Sequence, residues 1–373
     1  MPRLFFSIAV RALLYIGPLL FFVLLSRPFL PADTAILVPV VSLDARGEEN
    51  IARTLSLEEQ VGQLLILGFE GKTMSPELSL AIKKFKPGGV LLLTRNIESR
   101  EQVELLVADL QAISPIPLFV AVDQEGGVVS RLWWQDDTAP VEFQNPEHAY
   151  AVGKQRARAL KELGITMNLS PVLDGNRDID FIYPRSFQRD SNSAALLAVE
   201  YMRGHEEEGV LAVAKHFPGY DGIAFNPEGG VMPKKATVPD ISLFRRVFLD
   251  MSPRVLMVSH VIYEELGGVP FPFSQEGISF LRREFGEDTL VMSDDLLSRS
   301  MVAVYPVSEI GVFAVDAGAD FLLAAGYPDT NTMAAFVGGV TKKAGEDEQF
   351  RSRVLSSASK ILRLKETYLL SAF

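Results

Sequence analysis

Apolar runs recur along this chain, separated by stretches of helical spacing. The runs are VGQLLILGF (61–69), GGVLLLT (88–94), PLFVAVD (117–123), ITMNLSPVLD (165–174), VLAVAKHF (210–217), VLMVSHVIY (255–263), DTLVMSDD (288–295) and ADFLLAAG (319–326). Short continuous apolar runs read as strands buried on both faces, the pattern of a parallel sheet covered by helices. Segments such as REQVELLVADLQAI and SAALLAVEYMRGHEEEG, between the runs, place apolar residues three and four apart and predict those helices. Eight such units predict an α/β fold, a closed (β/α)8 TIM barrel in preference to an open doubly wound sheet. No G-x-G-x-x-G follows the first run, so a dinucleotide fold has no support. The stretch FRSRVLSSASKILRLKETYLL predicts one amphipathic closing helix. No linker-like composition interrupts residues 53–373, which are expected to form one domain.

The start of the chain departs from this pattern. Residues 1–30, MPRLFFSIAVRALLYIGPLLFFVLLSRPFL, hold three arginines and no acid. The apolar run from Ala12 to Leu25 has the length of an export-signal core, whereas counting across Arg11 from Leu4 makes it long enough to span a bilayer. An arginine at mid-bilayer costs about 2.5–3.5 kcal/mol, and less near an end. Leu30-Pro31-Ala32 is the nearest approach to a cleavage site. Residues 1–30 therefore read as a signal anchor or a signal peptide, and residues 31–52 as a linker. With Arg3 and Arg11 ahead of the run, the barrel is expected on the exported side, periplasmic or extracellular, and secreted if the signal is cleaved.

Composition removes several functions. A net charge of −11 without a Lys/Arg cluster argues against a nucleic-acid partner. The absence of cysteine excludes disulfides, thiolate metal sites and a cysteine nucleophile. The four histidines form no metal-ligand spacing, so neither metal nor cofactor is expected. No G-x-S-x-G nucleophile elbow occurs.

What remains is concentrated at the ends of the predicted strands, where a barrel places its chemistry. The third ends in Asp123-Gln124-Glu125-Gly126-Gly127 with Arg131 close behind, and the fourth in Asp174-Gly175-Asn176-Arg177-Asp178, leading to Arg185. The fifth ends in Lys215-His216, the sixth in Ser259-His260, the seventh in Ser293-Asp294-Asp295. Any one of these could be a helix cap or a surface pair. Five together imply one shared, hydrated cavity, because charge at the end of a strand this apolar is otherwise costly. Asp, Lys, His and Arg together suit a pocket for sugar hydroxyls, and a carboxylate at a strand end fits attack on an anomeric carbon.

DQEGGVVSRL, NLSPVLDGNRD, RSF, KHFPG, MVSHVIY, REFGEDTLVMSDDL and AGADFLLAAG, in this order, resemble the motif series of glycoside hydrolase family 3. The closer likeness is to its single-barrel β-N-acetylhexosaminidases, typically active on peptidoglycan fragments. The resemblance covers nearly all of residues 53–373 and implies a retaining hydrolase, expected as a monomer, acting on a carbohydrate with terminal N-acetylglucosamine. It makes Asp294 the nucleophile and assigns Asp123, Arg131, Arg185, Lys215 and His216 to the sugar hydroxyls.

The loop after KHFPG departs from that series. The family branch continues KHFPGHG-D-T and then D-S-H, where the last histidine, supported by the aspartate, is the acid/base. Here Tyr220 replaces the first histidine, Asn226-Pro227-Glu228 stands in place of D-S-H, and Val128 replaces an arginine. Glu228 is then the proton carrier at the matching position, with Asp221 next; a glutamate needs a raised pKa for the task. Three functions stay open: a retaining glycosidase, a glycan-binding or scaffold barrel without turnover, and a phosphorolytic variant.

Overall fold

The structure is a computed structural model that describes residues 51–369, except Asn176, Glu228, Gly229, Tyr327 and Pro328. The segment expected to meet the membrane, residues 1–30, and nearly all of the linker lie outside the described residues. Residues 51–54 are helical and Ala52 is buried, so the barrel unit takes in the last residues expected of the linker.

Strands β1 (Leu65–Gly68), β2 (Gly89–Leu92), β3 (Phe119–Val122) and β4 (Met167–Asn168) are followed by β5, in two segments, Leu211–Ala212 and Ala214–Phe217. Then come β6 (Val255–Val258), β7 (Leu290–Ser293) and β8 (Leu322–Ala324). All neighbours are parallel: β8-β1-β2-β3-β4-β5 on one side and β5-β6-β7 on the other. The ring closes at a narrow seam, where Met292 bridges Phe321 and the Asp320 and Phe321 N–H groups both donate to Val291 O. The TIM barrel expected from the sequence is the observed fold.

Every strand is shorter than its apolar run, and in three the cause is local. The start of the first run belongs to helix α1 (Leu57–Gln63), because Ser56 and Glu59 form a reciprocal capping box that begins a helix there. The fourth run leaves the ladder after Asn168, since Pro171 has no N–H to donate, and touches β5 again only where Val172 bridges Lys215. In the sixth run the VIY tail turns away, and Ile262–Tyr263 pairs with Lys234–Lys235 in a two-stranded ribbon.

The outer helices include α2 (Pro76–Phe85), α3 (Arg100–Ile113), α4 (Pro146–Glu162), α5 (Ser191–Glu207), α6 (Ser242–Asp250) and α7 (Gln275–Phe285). The short α8 (Arg299–Val302), then α9 (Val307–Ala317), α10 (Thr330–Glu346) and α11 (Glu348–Leu369), complete the set. Side chains of Ser75, Ser99, Asn145, Asp190, Ser274 and Asp329 cap their helices, satisfying N–H groups that have no partner within the helix. The closing helix α11 buries Val354, Ala358, Ile361 and Leu364 in the larger apolar core, together with residues of β1–β4 and β8. A second apolar cluster joins β5–β7 to α5–α7.

Candidate active site

A cavity of about 440 Å³ lies beyond the C-terminal ends of the strands, lined from β3, β5, β6 and β7 by Asp123, Glu125, Lys215, His216, His260, Asp294 and Asp295. Arg131, Arg185 and Tyr220 reach it from the loops.

The β3 turn is built so that two acids and an arginine share one wall. Gln124 is buried, and its Oε1 accepts the N–H groups of Arg131 (2.8 Å) and Leu132 (3.0 Å), folding the loop back on itself. Gly126 adopts φ +89°, and a Cβ there would lie 2.1 Å from Thr138 O, so the DQEGG turn needs glycine at this position. Glu125, 1% exposed, accepts two bonds from Arg185 (2.9 and 2.8 Å). Lys215 Nζ lies 2.7 Å from Glu125 Oε1 and 2.6 Å from Asp123 Oδ1, with an Arg131 nitrogen 3.8 Å from Asp123. Burial opposes charge on Glu125, but Arg185 and Lys215 outweigh it and hold the carboxyl at about 2. Burial would likewise lower the Lys215 ammonium, yet Asp123 and Glu125 raise it.

Opposite this cluster stands Asp294, which follows the last residue of β7 and stays partly exposed to the cavity. Its Oδ1 accepts the Asp295 N–H (2.8 Å) and its Oδ2 accepts the Tyr220 hydroxyl (2.9 Å). Desolvation works against the anion, but the His260 and His216 imidazoles, the Asp295 N–H and Tyr220 favour it and hold Asp294 at about 2. Its neighbour behaves in the opposite way. Asp295 accepts N–H groups from Leu297 (3.0 Å) and Ala325 (2.8 Å), tying the β7 and β8 loops together, and desolvation raises it to about 6.

Asp174 supports the floor. It accepts His216 Nδ1 (2.8 Å), the His216 N–H (2.9 Å) and the Tyr220 N–H (2.7 Å), and so sets the ring orientation of His216. His260 is 3% exposed; its Nε2 has no hydrogen-bond partner among the described residues, and burial pushes its pKa below the usual imidazole value.

Six residues singled out in the sequence, Asp123, Arg131, Arg185, Lys215, His216 and Asp294, meet in this cavity. Glu228 lies outside the described residues. Asp221, the other candidate proton carrier, does not line this cavity; it lines a second one of about 370 Å³ with Arg177, Arg189 and Lys235. Its carboxylate rests on Gly175, where a Cβ would lie 1.4 Å from Asp221 Oδ1 and where the Gly175 N–H donates to Oδ2 at 3.2 Å. Sequence reasoning gave no role to Glu125, Asp174, Tyr220 or His260. Three of them were visible as strand-end polar residues, but their partners lie 40 or more residues away and only the fold reveals them.

Comparison with known proteins identifies the frame. The profile described as Glycosyl hydrolase family 3 N terminal domain matches residues 56–364. A beta-hexosaminidase of Alkalilimnicola ehrlichii is 32% identical over 285 residues, 71% of this chain and 81% of that protein. One from Nitrosomonas eutropha is 30% identical over 284 residues, again 71% of this chain and 81% of the relative. Among solved structures, a glycoside hydrolase family 3 β-N-acetylglucosaminidase of Paenibacillus superposes with a TM-score of 0.77 and 28% identity, covering 85% of this chain and 63% of that one. A β-N-acetylhexosaminidase of Beutenbergia cavernae gives 0.73 and 28% identity, with 83% and 98% of the two chains covered.

Proposed function

The chain belongs to glycosyl hydrolase family 3, a family of glycoside hydrolases, and on that premise we propose that it cleaves β-linked terminal N-acetylhexosamine from peptidoglycan-type glycans with retention. Asp294 is the nucleophile in this reading. Asp123, Arg131, Arg185, Lys215 and His216 hold the sugar, and Glu228 is the group assigned to proton transfer. The barrel works on the exported side, with residues 1–30 as its anchor or signal.

The observation that carries the reading is Asp294 itself. It is an ionised carboxylate at a strand end, bordering a 440 Å³ cavity opposite a cluster of cations and acids able to grip hydroxyls. A carboxylate kept charged at neutral pH can attack an anomeric carbon without first losing a proton. The test is covalent trapping by an activated 5-fluoro N-acetylglucosaminyl analogue, which keeps the 2-acetamido group, followed by peptide mapping. A label on Asp294 that vanishes in Asp294→Ala is expected; a label on Asp295, or one that persists in the variant, overturns the assignment.

One observation favours a second reading, a barrel that binds glycan without turning it over. Among the described residues, the other acids lining the cavity are already engaged: Asp123 and Glu125 by cations, Asp295 by backbone N–H groups. A natural glycan needs a proton as its leaving group departs, and a nitrophenolate does not. If Glu228 supplies that proton, Glu228→Gln should lose 10²–10⁴-fold, an order-of-magnitude range for general acid catalysis, on a natural disaccharide and little on an aryl glycoside. Sugar binding without cleavage of either substrate would establish the second reading.

A further inference from the structure

Tyr220 has been given no part in holding the sugar or in attack, yet it touches the attacking group. It opens the loop that follows β5, is 3% exposed, and packs edge-on against His216 (5.1 Å between ring centroids) and Phe181 (5.3 Å). Its backbone is pinned by the bond to Asp174, and its hydroxyl oxygen accepts the His260 N–H at 3.1 Å. With one side of the oxygen taken by that donor, the phenolic hydrogen is directed to Asp294 Oδ2, 2.9 Å away.

We infer that Tyr220 is a positioning residue for Asp294, and that it serves the step in which the carboxylate leaves the sugar more than the step in which it attacks. The inference rests on Asp294 being the nucleophile. In the first half-reaction an Asp294 oxygen bonds the anomeric carbon as the bond to the leaving group breaks; an activated aryl group departs as its phenolate. In the second, a water oxygen bonds that carbon, the bond to Asp294 breaks, the electron pair returns to the carboxylate, and the water proton passes to solvent. A hydrogen bond to the free anion stabilises the attacking ground state and so restrains attack. The same bond stabilises the anion as it re-forms, which assists departure. Burial and Asp294 together raise the Tyr220 phenol well above its usual value, so it keeps its proton throughout and acts as a fixed donor. The other groups facing Asp294 are His216 from β5, His260 after β6 and the Asp295 N–H; removing the phenolic oxygen leaves His216 Nδ1 and the Asp295 N–H with their partners and takes an acceptor from the His260 backbone N–H.

Tyr220→Phe retains the ring and its packing. With an activated aryl β-N-acetylglucosaminide, loss of a hydrogen bond to a charged group should lower kcat by roughly 10–100-fold. KM should fall with it, and a burst of phenolate should appear as the glycosyl-enzyme accumulates. The acid limb of the trapping rate by the 5-fluoro sugar should move up by about one pH unit. Unchanged kcat and an unmoved limb would overturn the inference; so would a lower kcat with KM constant and no burst, because the loss would then lie in attack. If the wild type cleaves no aryl glycoside, the hydrolase reading fails separately. A ¹³C titration of Asp294 in both proteins would then decide whether Tyr220 tunes that carboxyl: a higher midpoint in the variant upholds the contact, identical midpoints reject it.

Discussion

Two lysines, one at each end of the barrel, are both nearly sealed from water: Lys215 is 2% exposed and Lys365 is 5% exposed. At the cavity end, Lys215 stands between Asp123 and Glu125 and its ammonium is stabilised. At the foot, Lys365 of α11 has the amide oxygen of Gln63 as its partner at 2.8 Å, and burial pushes it down to about 7. Water is withheld from both, and the partners decide the outcome. Two carboxylates keep a charge in place, whereas one neutral dipole leaves the proton optional. A buried ion cluster adds little net stability compared with apolar packing, so in the proposed function the cavity end holds its charges to grip sugar, while the foot needs only a satisfied polar atom.

The comparison is broken most forcefully at Lys215. Lys215→Met leaves Glu125 and Asp123 short of a cation, and breaking a buried pair in this way costs about 3–5 kcal/mol. Urea denaturation at pH 7 should show that loss, whereas Lys365→Met should stay within about 1–2 kcal/mol, since it orphans one amide oxygen and removes a half-charged amine. Equal losses would mean that partner chemistry does not separate the two ends.

A second test follows the proton. Because the folded-state pKa of Lys365 is depressed to about 7 from 10.5, the unfolded chain binds more protons between those values. Stability should therefore rise with pH across that window and stay flat, as far as this group is concerned, below about 7. Lys365→Met should flatten the rise; a slope identical to wild type would place the titrating group elsewhere.

The smallest effect is expected beside the second cavity. Desolvation and the nearby Asp174 raise Asp221 to about 6, so its contribution falls as pH climbs from 3.8 to that value and remains unfavourable above it. Asp221→Asn should remove the fall, read as urea midpoints at pH 4 and pH 7. It should leave cleavage of a natural disaccharide within about twofold, because Asp221 does not line the first cavity. A 10²-fold loss of turnover, of general-acid size, would return Asp221 to the chemistry.

The barrel was legible because strands buried on both faces leave uninterrupted apolar runs, and because REQVELLVADLQAI and SAALLAVEYMRGHEEEG carry the helical spacing of α3 and α5. Strand ends were harder to read. Nothing in VGQLLILGF shows that its first residues are drawn into α1 until the Ser56–Glu59 cap is recognised. In the site, Asp294, Lys215 and His216 stood out because each ends an apolar strand. The division of labour between Asp123 and Glu125 did not, because it depends on Arg185, 60 residues further on. Tyr220 read only as a missing histidine; its partner lies 74 residues downstream. Asp221 read as the loop acid next in line after Glu228, and its contact with Gly175 at the second cavity shows only in the fold.

The bond from Lys365 to Gln63 also fastens the last helix of the barrel to the first. Read as topology, a closed ring of eight β/α units whose first and last helices touch has no privileged starting point. A short peptide bridging the two helices could replace the present break, and a new one could be cut in the connection between α3 and β3, where Pro115 and Pro117 are exposed. That connection enters β3 at the end away from Asp123, so the reordered gene would encode the same walls around the same cavity.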